Sequence, residues 1–328
     1  MNKRAVFVLG PHRSGTSLVA AAIESLGFSL GNRSDWVNED NPKGFFENSD
    51  VTPFNDRLLK FLDSRWDNPL FYGRRALAEQ SPEELEPWYQ EAVEIVDRNF
   101  SSTHAWLVKD PRICVLLPFW HEVLRRAGYA EADLFHCYVS RNPVEAARSQ
   151  QKRHRADPEF HFLGEELQES VALWYAYSLQ ALDEATESNN ICVDYNEFLQ
   201  DPRGQLGRLA EFLEADPRGP MTEGFLTKFV DTSLHRSHST EDELRAVTER
   251  APFVAVLYGS YRQLSGRPAF ARDEAAALLG SEVSPQLWFE YSQALAHLYP
   301  RAYFLWQDEK ELHRQLVGRY DNLQADYE

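Results

Sequence analysis

The sequence predicts an α/β fold in which helices cover a central parallel sheet. Four short, almost wholly apolar segments lie along the chain, at residues 5–9, 105–109, 133–140 and 190–194. Strands that are apolar at nearly every position are typical of parallel sheets with both faces buried. The alternation of these segments with helical ones fades beyond about Pro217, so we expect a core over residues 1–240 and a mostly helical extension over 241–328.

The first predicted strand leads into a glycine-bounded loop at 10–17, and a helix is predicted over 18–26. A strand, a loop and a helix in this order direct several backbone N–H groups and the positive end of the helix dipole at one point, which forms an anion site. The spacing of Gly10 and Gly15 is that of a phosphate-binding loop, but Thr16 stands where nucleoside triphosphatases need lysine.

Helix signals occur at regular places between and after the strands. Ser81 and Pro82, followed by two acidic residues, are a typical helix start, and that helix should run to about Asn99. Further helices are predicted at 113–126, in the segment ending at Gln151, and at 164–187, 203–213, 241–250, 273–279, 285–298 and 301–328. Leucines at near-heptad spacing in the last segment predict either a helix packed on its own domain or one that leads to self-association, a partner or a further domain. Residues 31–48 have the composition of a loop long enough to cover a site.

Composition and charge limit the classes of partner. The chain has 328 residues, of which 43% are hydrophobic, and a formal net charge of −17. A globular protein is indicated, and the charge argues against free nucleic acid or an anionic membrane as a general partner. No segment approaches the ~20 apolar residues of a membrane span, and no signal peptide is recognisable. Because Cys114, Cys137 and Cys192 lie in apolar segments without Cys-x-x-Cys spacing, we expect buried, reduced thiols and a cytoplasmic protein.

Side chains suited to phosphate binding follow three of the predicted strands. They occur in the loop 10–17, in 109–112 and from Arg141 onward. Ligands of open α/β sheets bind outside the carboxyl ends of the strands. The three segments therefore predict one anion site at a common edge of the sheet.

Two of these segments resemble the signature motifs of sulfotransferases that use 3′-phosphoadenosine 5′-phosphosulfate (PAPS). In that family a Lys or Arg, here Arg13, precedes a Ser-Gly-Thr-Ser run or a close variant. The second signature is an Arg at the end of a strand with a Ser eight residues later, and here these are Arg141 and Ser149. Segments 41–47 and 108–112 are also similar to bacterial members of the family.

The resemblance covers about residues 4–240. It implies a P-loop-like α/β fold, PAPS as the cofactor, the 3′,5′-bisphosphate PAP as the product, and in-line transfer of a sulfuryl group to a hydroxyl or an amine. No metal is needed by this chemistry, and no cluster in the sequence has the spacing of metal ligands.

Roles for individual residues follow from the resemblance. It implies that the nucleotide is bound by Arg13, Ser14, Gly15, Thr16, Ser17, Arg141, Ser149 and, in a late basic loop, Arg236. Arg141 and Ser149 are expected at the 3′-phosphate and the loop residues at the 5′-phosphate. Because arginine cannot give up its proton, we expect Arg13 to stabilise charge on the leaving phosphate and not to act as a general acid.

An acceptor hydroxyl also needs a general base. Glu47 is the first candidate because related sulfotransferases place a glutamate in this region, His12 is the second, and Asp110 is the third. Lys109 and Arg112 are expected either to orient the sulfonate or an anionic acceptor, or to form a structural pair with Asp110.

The sequence does not identify the acceptor. Aromatic residues that could line the acceptor side, or equally pack in the core, are Phe45, Phe46, Trp66, Phe71 and Tyr72. A sugar, a phenol, a lipid head group or a peptide would each be compatible, and we expect a small-molecule or glycan acceptor.

Two other functions fit parts of the sequence. A nucleotide-dependent kinase would share the skeleton of the loop, but it would carry lysine at position 16 and an acidic strand end for Mg²⁺. The second strand ends instead with Lys109 next to Asp110. The other alternative is a non-enzymatic α/β module with a degenerate loop, and the intact pair of Arg141 and Ser149 argues against it.

Overall fold

Four strands form one parallel sheet within the residues that the structure, a computed structural model, describes, namely 3–34, 43–156, 164–231 and 237–280. The strands are β1 (Arg4–Leu9), β2 (Ala105–Lys109), β3 (Leu134–Ser140) and β4 (Asn190–Asp194). Their spatial order is β2-β1-β3-β4. The sequence predicts all four to within one residue at each end, and the α/β fold class with a parallel sheet is confirmed.

This strand order creates a switch point at β1. The chain passes from β1 to β2 on one side and later returns to β3 on the other, and both neighbours pair with β1 in parallel. Connections that diverge in this way leave a crevice outside the carboxyl end of the strand between them. The loop after β1 therefore lies where an open α/β sheet binds its ligand.

Helices flank the sheet and connect its strands. In the described residues they are α1 Thr16–Ser25, α2 Val51–Phe61, α3 Gly73–Ala78, α4 Pro82–Phe100, α5 Ile113–Arg126, α6 Pro143–Ala156, α7 Leu167–Asp183, α8 Tyr195–Gln200, α9 Pro202–Phe212, α10 Pro220–Gly224, α11 Glu241–Arg250, α12 Pro252–Ser265 and α13 Arg272–Leu279. A 3-10 turn at Glu131–Asp133 and a π-helical turn at Phe225–Phe229 complete the set. None of the helices in the described part of the chain is long and apolar enough to cross a membrane.

Both faces of the sheet are buried. On one face, Val6, Cys137 and Val193 share a core with residues of α1 and α9. On the other, the ring of Phe7 packs edge to face on Trp106, with centroids 6.5 Å apart. This burial on two sides is the reason that the strands are apolar at nearly every position.

The start of α4 follows its predicted capping signal. Ser81 Oγ accepts a hydrogen bond from the backbone N–H of Glu84, and the Glu84 carboxylate accepts one from the backbone N–H of Ser81. Sequence signals do not predict α2 or α12. Pro53 lies in the first turn of α2 and Pro252 is the first residue of α12, positions where a helix needs no N–H donor and tolerates proline.

The C-terminal extension is described only in part. Residues 241–280 form α11, α12 and α13, and α12 packs against β3, β4 and α7. The helices predicted at 285–298 and 301–328 lie outside the described residues. A domain boundary near residue 240 stays a prediction.

A pair of histidines lies between α5 and β3. The rings of His121 and His136 stack with centroids 5.0 Å apart, and their Nε2 atoms are 3.0 Å apart. Burial lowers the pKa of His121 to about 4; the Glu131 carboxylate offsets part of this effect, and the charges of Arg272 and Arg74 lower the pKa further. Burial and the neighbouring His121 also lower the pKa of His136 well below its usual range. The pair is therefore neutral at pH 7.

We expect the protein to lose about 3 kcal/mol of its free energy of unfolding through His121 between pH 7 and pH 4. The unfolded chain protonates this ring near pH 6.5, whereas the folded chain does so only near pH 4. The unfolded state therefore binds more protons in this range, and stability falls as the pH falls. Urea unfolding across the range measures the slope. His121→Gln should reduce the slope, with the contribution of His136 remaining, whereas the same change at the exposed His104 should leave it unchanged; equal slopes in the two variants would contradict the prediction.

Candidate active site

A cavity of about 530 Å³ opens at the carboxyl ends of the strands. Its walls come from the loop after β1, the segment 43–56, the end of β2 and helix α6. The residues predicted from the sequence that line it are His12, Arg13, Gly15, Thr16, Ser17, Phe45, Glu47, Trp66, Lys109, Arg112, Arg141 and Ser149. Ser14 and Asp110 are fully buried and do not line it. Arg236 lies outside the described residues.

Backbone geometry explains the glycine at position 15. Gly15 has a φ of +96° and Arg13 a φ of +69°, both in the left-handed region. A Cβ on Gly15 would lie 2.2 Å from Cδ2 of Tyr195, so glycine is required by the conformation and by the close approach. Ser14 Oγ donates to the Pro11 carbonyl oxygen at 2.7 Å. That bond stabilises the turn. It also uses the one hydrogen that the Ser14 hydroxyl could donate to a phosphate.

The two sequence motifs meet at Arg13. Arg13 Nε donates to Ser149 Oγ at 2.9 Å, although the residues are 136 positions apart. The Arg13 carbonyl oxygen accepts a hydrogen bond from Arg141 Nη1 at 3.0 Å. The loop after β1, the end of β3 and helix α6 are therefore joined at one wall of the cavity.

Arg141 is held from several sides and is only 6% exposed. Its Nε donates to Glu145 at 3.4 Å, and its Nη2 donates to the Ser237 carbonyl oxygen at 3.2 Å. The guanidinium carbon lies 4.6 Å from the centroid of the Tyr195 ring. These contacts fix the plane of the guanidinium at the end of β3.

Lys109 pairs with Glu47 and not with the adjacent Asp110, which corrects the pairing considered from the sequence. Lys109 Nζ lies 2.7 Å from Glu47 Oε1, and the two side chains are 3% and 14% exposed. Both residues line the cavity. The pair therefore connects the end of β2 to the segment before α2 at the ligand-facing edge of the sheet.

Asp110 lies at the centre of a buried network. Its Oδ1 accepts hydrogen bonds from the backbone N–H and from Nη1 of Arg112, both at 3.0 Å, and its Oδ2 accepts one from Asn55 at 2.9 Å. Arg112 also donates to both carboxylate oxygens of Asp56, at 2.6 and 3.2 Å. The oxygens of Asp110 are thus occupied, and Arg112 is already neutralised by two carboxylates.

The charged groups of this network favour one another's ionised forms. Burial opposes the charge of Arg112, but the carboxylates of Asp110 and Asp56 outweigh burial and raise the pKa of Arg112 above its usual value. Burial raises the pKa of Asp56, and Arg112 offsets part of that effect. Asp56 and Arg112 line the cavity, with Asp110 buried behind them, and their mutual pairing argues against Asp110 as a general base and against Arg112 as a ligand of an anionic acceptor.

His12 and Phe45 occupy the wall in different ways. The His12 ring packs against aromatic rings, with its centroid 4.6 Å from that of Trp66 and 5.6 Å from that of Tyr177. Phe45 is tied to the start of α1, because its carbonyl oxygen accepts a hydrogen bond from Ser17 Oγ at 3.1 Å. Its side chain is buried, as core packing would require.

Several cavity residues are not predicted from the sequence. Lys152 and Arg153 belong to a basic run that the sequence alone suggests is a solvated helix end, yet both line the cavity. The Arg153 guanidinium lies 5.6 Å from the ring centroid of Trp66. Their positions three and four residues after Ser149 place them on the same face of α6, and that spacing was an available signal. Tyr195 also lines the cavity, and its signal was its position directly after β4.

The fold and the cavity define the class of the protein. A parallel α/β sheet has a phosphate-loop-like turn at its switch point, and charged side chains from the neighbouring strand ends surround that turn. The model of the sulfotransferase family matches residues 5–218 of the chain. The protein belongs to this family.

Solved structures of bacterial sulfotransferases resemble the chain at low sequence identity. The sulfotransferase domain of the Synechococcus olefin synthase is 16% identical with a TM-score of 0.38, over 76% of this chain and 94% of that one. A sulfotransferase from Mycobacterium tuberculosis is 14% identical with a TM-score of 0.42, over 76% of each chain. One from Alicyclobacillus acidocaldarius is 17% identical with a TM-score of 0.38, over 81% of this chain and 97% of that one. A search of curated proteins finds no match.

Proposed function

We propose that this protein uses PAPS as its donor and transfers the sulfuryl group to a hydroxyl or an amine of a small-molecule or glycan acceptor. The observation that carries the proposal is the junction at Arg13, which donates to Ser149 and accepts from Arg141. It joins an anion site at the start of α1 to a second one at the end of β3. A donor with a 5′-phosphosulfate and a 3′-phosphate needs two such sites side by side.

Arg141 retains donors for a phosphate. Within the described chain, three of its five N–H groups are engaged, by Glu145 and by the carbonyl oxygens of Arg13 and Ser237. One N–H on each of its two terminal nitrogens remains for phosphate oxygens. Ser149 would add its hydroxyl proton, because its oxygen serves as an acceptor in the contact with Arg13.

The start of α1 would bind the 5′-phosphate. The backbone N–H groups in the first turn of a helix have no intrahelical acceptor, and the positive end of the dipole favours an anion there. Thr16 and Ser17 lie in this turn and line the cavity. The guanidinium of Arg13, beside them, would stabilise the negative charge that develops on the leaving phosphate.

Glu47 is the proposed general base. Lys109 holds one of its carboxylate oxygens, and among the described residues no hydrogen-bond donor contacts the other. That second oxygen can take the proton of an acceptor hydroxyl. His12, which also lines the cavity, remains the second candidate.

The transfer then needs positioning and charge stabilisation from this chain. When bound, PAPS supplies the sulfuryl group, whose sulfur–oxygen bond to the 5′-phosphate breaks as a new bond forms to the acceptor oxygen. Glu47 takes the acceptor proton, Lys109 fixes the Glu47 carboxylate, and Arg13 balances the charge left on the phosphate. These groups are already in position before the transfer, so they need not reorganise as the charge develops.

We also infer a cytoplasmic location. Cys114, Cys137 and Cys192 are buried, and none forms a disulfide. Free thiols of this kind are typical of proteins in a reducing compartment.

Calorimetric titration with PAP tests the proposed donor. We expect affinity of about micromolar strength without Mg²⁺, and no binding of ATP. Preference for ATP with Mg²⁺ would contradict the proposal in favour of a kinase. Absence of binding to both PAP and ATP would indicate a non-enzymatic α/β module.

Replacing Arg141 by Lys should weaken the binding of PAP about tenfold. Lysine keeps a positive charge beside the buried Glu145, but it cannot offer the paired N–H groups of a guanidinium. The matched control is Arg203→Lys, a change at an exposed arginine that pairs with Glu223 away from the cavity. Titration of the three proteins with PAP measures the effect, and equal affinities would remove Arg141 from the 3′-phosphate site.

A further inference from the structure

Residues 237–243, which we name the strap, run from the cavity wall into the first turn of α11. Ser237 lines the cavity and is buried. Thr240 Oγ accepts a hydrogen bond from the backbone N–H of Glu243 at 3.2 Å, and Glu243 Oε2 accepts one from the backbone N–H of Thr240 at 2.8 Å. This reciprocal cap makes the strap and the first turn of α11 one unit.

Two arginines hold the strap against the rest of the site. Arg141 Nη2 donates to the Ser237 carbonyl oxygen at 3.2 Å, and Arg148 Nη1 donates to the His238 carbonyl oxygen at 2.6 Å. Arg148 also forms a bidentate ion pair with Glu243, with one nitrogen–oxygen distance of 3.0 Å. Both arginines belong to the segment that runs from the end of β3 into α6.

The strap and Arg141 orient each other. The Ser237 carbonyl oxygen takes one N–H of Arg141, so the position of the strap fixes one end of the guanidinium plane. An arginine that is already held in one geometry loses less side-chain entropy on binding an anion than one that samples several rotamers. Anything that holds the strap in place therefore prepares Arg141 for its ligand.

We propose that Arg148 and Glu243 are positioning residues for the nucleotide: their ion pair holds the strap, and the strap orients Arg141 towards the 3′-phosphate. This inference rests on the proposed function, because it concerns the binding of the same donor. Neither Arg148 nor Glu243 lines the cavity. Their effect passes through the strap and needs no contact with the ligand.

The expected effect is moderate. The side chains of Arg148 and Glu243 are 33% and 40% exposed, and an isolated ion pair at such exposure stabilises little. This pair is bidentate and is reinforced by the bond to the His238 carbonyl oxygen and by the helix cap. Hydrogen bonds from Arg148 lower the pKa of Glu243 to about 2, so the carboxylate is charged at any ordinary assay pH. We expect its loss to weaken nucleotide binding about three- to tenfold.

Glu243→Gln separates the ion pair from the cap, because glutamine can still accept the bond from Thr240. Titration with PAP should show the three- to tenfold loss, and KM for PAPS should rise by a similar factor while kcat at saturating PAPS changes little. The matched control is Glu241→Gln, which removes the same charge from an exposed position in the same turn and should bind PAP like the wild type. The double variant Arg148→Gln/Glu243→Gln should bind PAP no more weakly than Arg148→Gln alone, because both changes break the same ion pair and only the change at Arg148 also removes the bond to the His238 carbonyl oxygen.

The outcomes distinguish this inference from the donor assignment. Wild-type affinity for PAP in Glu243→Gln, or equal losses in Glu241→Gln and Glu243→Gln, would overturn the role of the strap and leave the donor assignment intact. Fully additive losses in the double variant would show that the two residues act separately, which also overturns it. A wild-type protein without affinity for PAP would overturn the donor assignment and the strap's role with it.

Discussion

Replacing Glu47 by Gln is expected to lower kcat for sulfuryl transfer by a factor of about 10² or more, with the affinity for PAP unchanged. Glutamine keeps the size of the side chain and an oxygen that can accept the bond from Lys109, but it cannot take the acceptor proton. Steady-state rates with PAPS and titration with PAP measure the two quantities separately.

The control for this prediction is a second ion-paired glutamate. Glu24 pairs with Arg33 at 2.9 Å outside the cavity, and Glu24→Gln should leave both kcat and PAP affinity as in the wild type. If Glu47→Gln retains its turnover, Glu47 is not the base and His12→Gln becomes the next variant to measure. If Glu47→Gln loses PAP affinity as well, its role lies in the structure of the site.

Replacing Asp110 by Ala should reduce the free energy of unfolding by about 3–5 kcal/mol. The substitution leaves Arg112 with one carboxylate partner and removes the acceptor for the buried amide of Asn55. Asn55 cannot turn away easily, because its own oxygen accepts a hydrogen bond from Trp120 at 2.9 Å. An unpaired donor in a buried network bears the full cost of its desolvation.

Urea unfolding at pH 7 measures this loss. Asp97→Ala provides the comparison, since Asp97 is exposed on α4 and its removal should change the free energy of unfolding by less than about 0.5 kcal/mol. A loss below about 1 kcal/mol for Asp110→Ala would mean that solvent reaches the network and satisfies its donors.

The sheet could be predicted from the sequence because its strands carry their own signal. A strand buried on both faces must be apolar throughout, so 105–109 and 190–194 stand out from their polar surroundings. Helix α12 gives a weaker signal, since it mixes β-branched and aromatic residues with glycine and begins with Pro252. Its place in the fold depends on contacts with β3, β4 and α7, which no local pattern contains.

The site could be predicted as a set of positions but not as a set of pairs. Lys109 and Asp110 are neighbours in sequence, which suggests an ion pair. Successive residues at the end of a strand point to opposite sides of the sheet, however, and the two side chains diverge. Lys109 pairs with Glu47, 62 positions away, and the Asp110 side chain points into the buried network. The identity of such partners depends on how the loops before α2 and after β2 come together in three dimensions.

The ring of Tyr195 has a consequence for anyone who would redesign this protein. Gly15 lies against one part of the ring and the Arg141 guanidinium lies over it, so the tyrosine is wedged between the two halves of the anion site. A transplanted loop with any side chain at position 15 would displace the Tyr195 ring, and Arg141 would then lose its contact with that ring. The scaffold would accept a new ligand chemistry only if the loop, the tyrosine and the arginine were exchanged together as a single cassette.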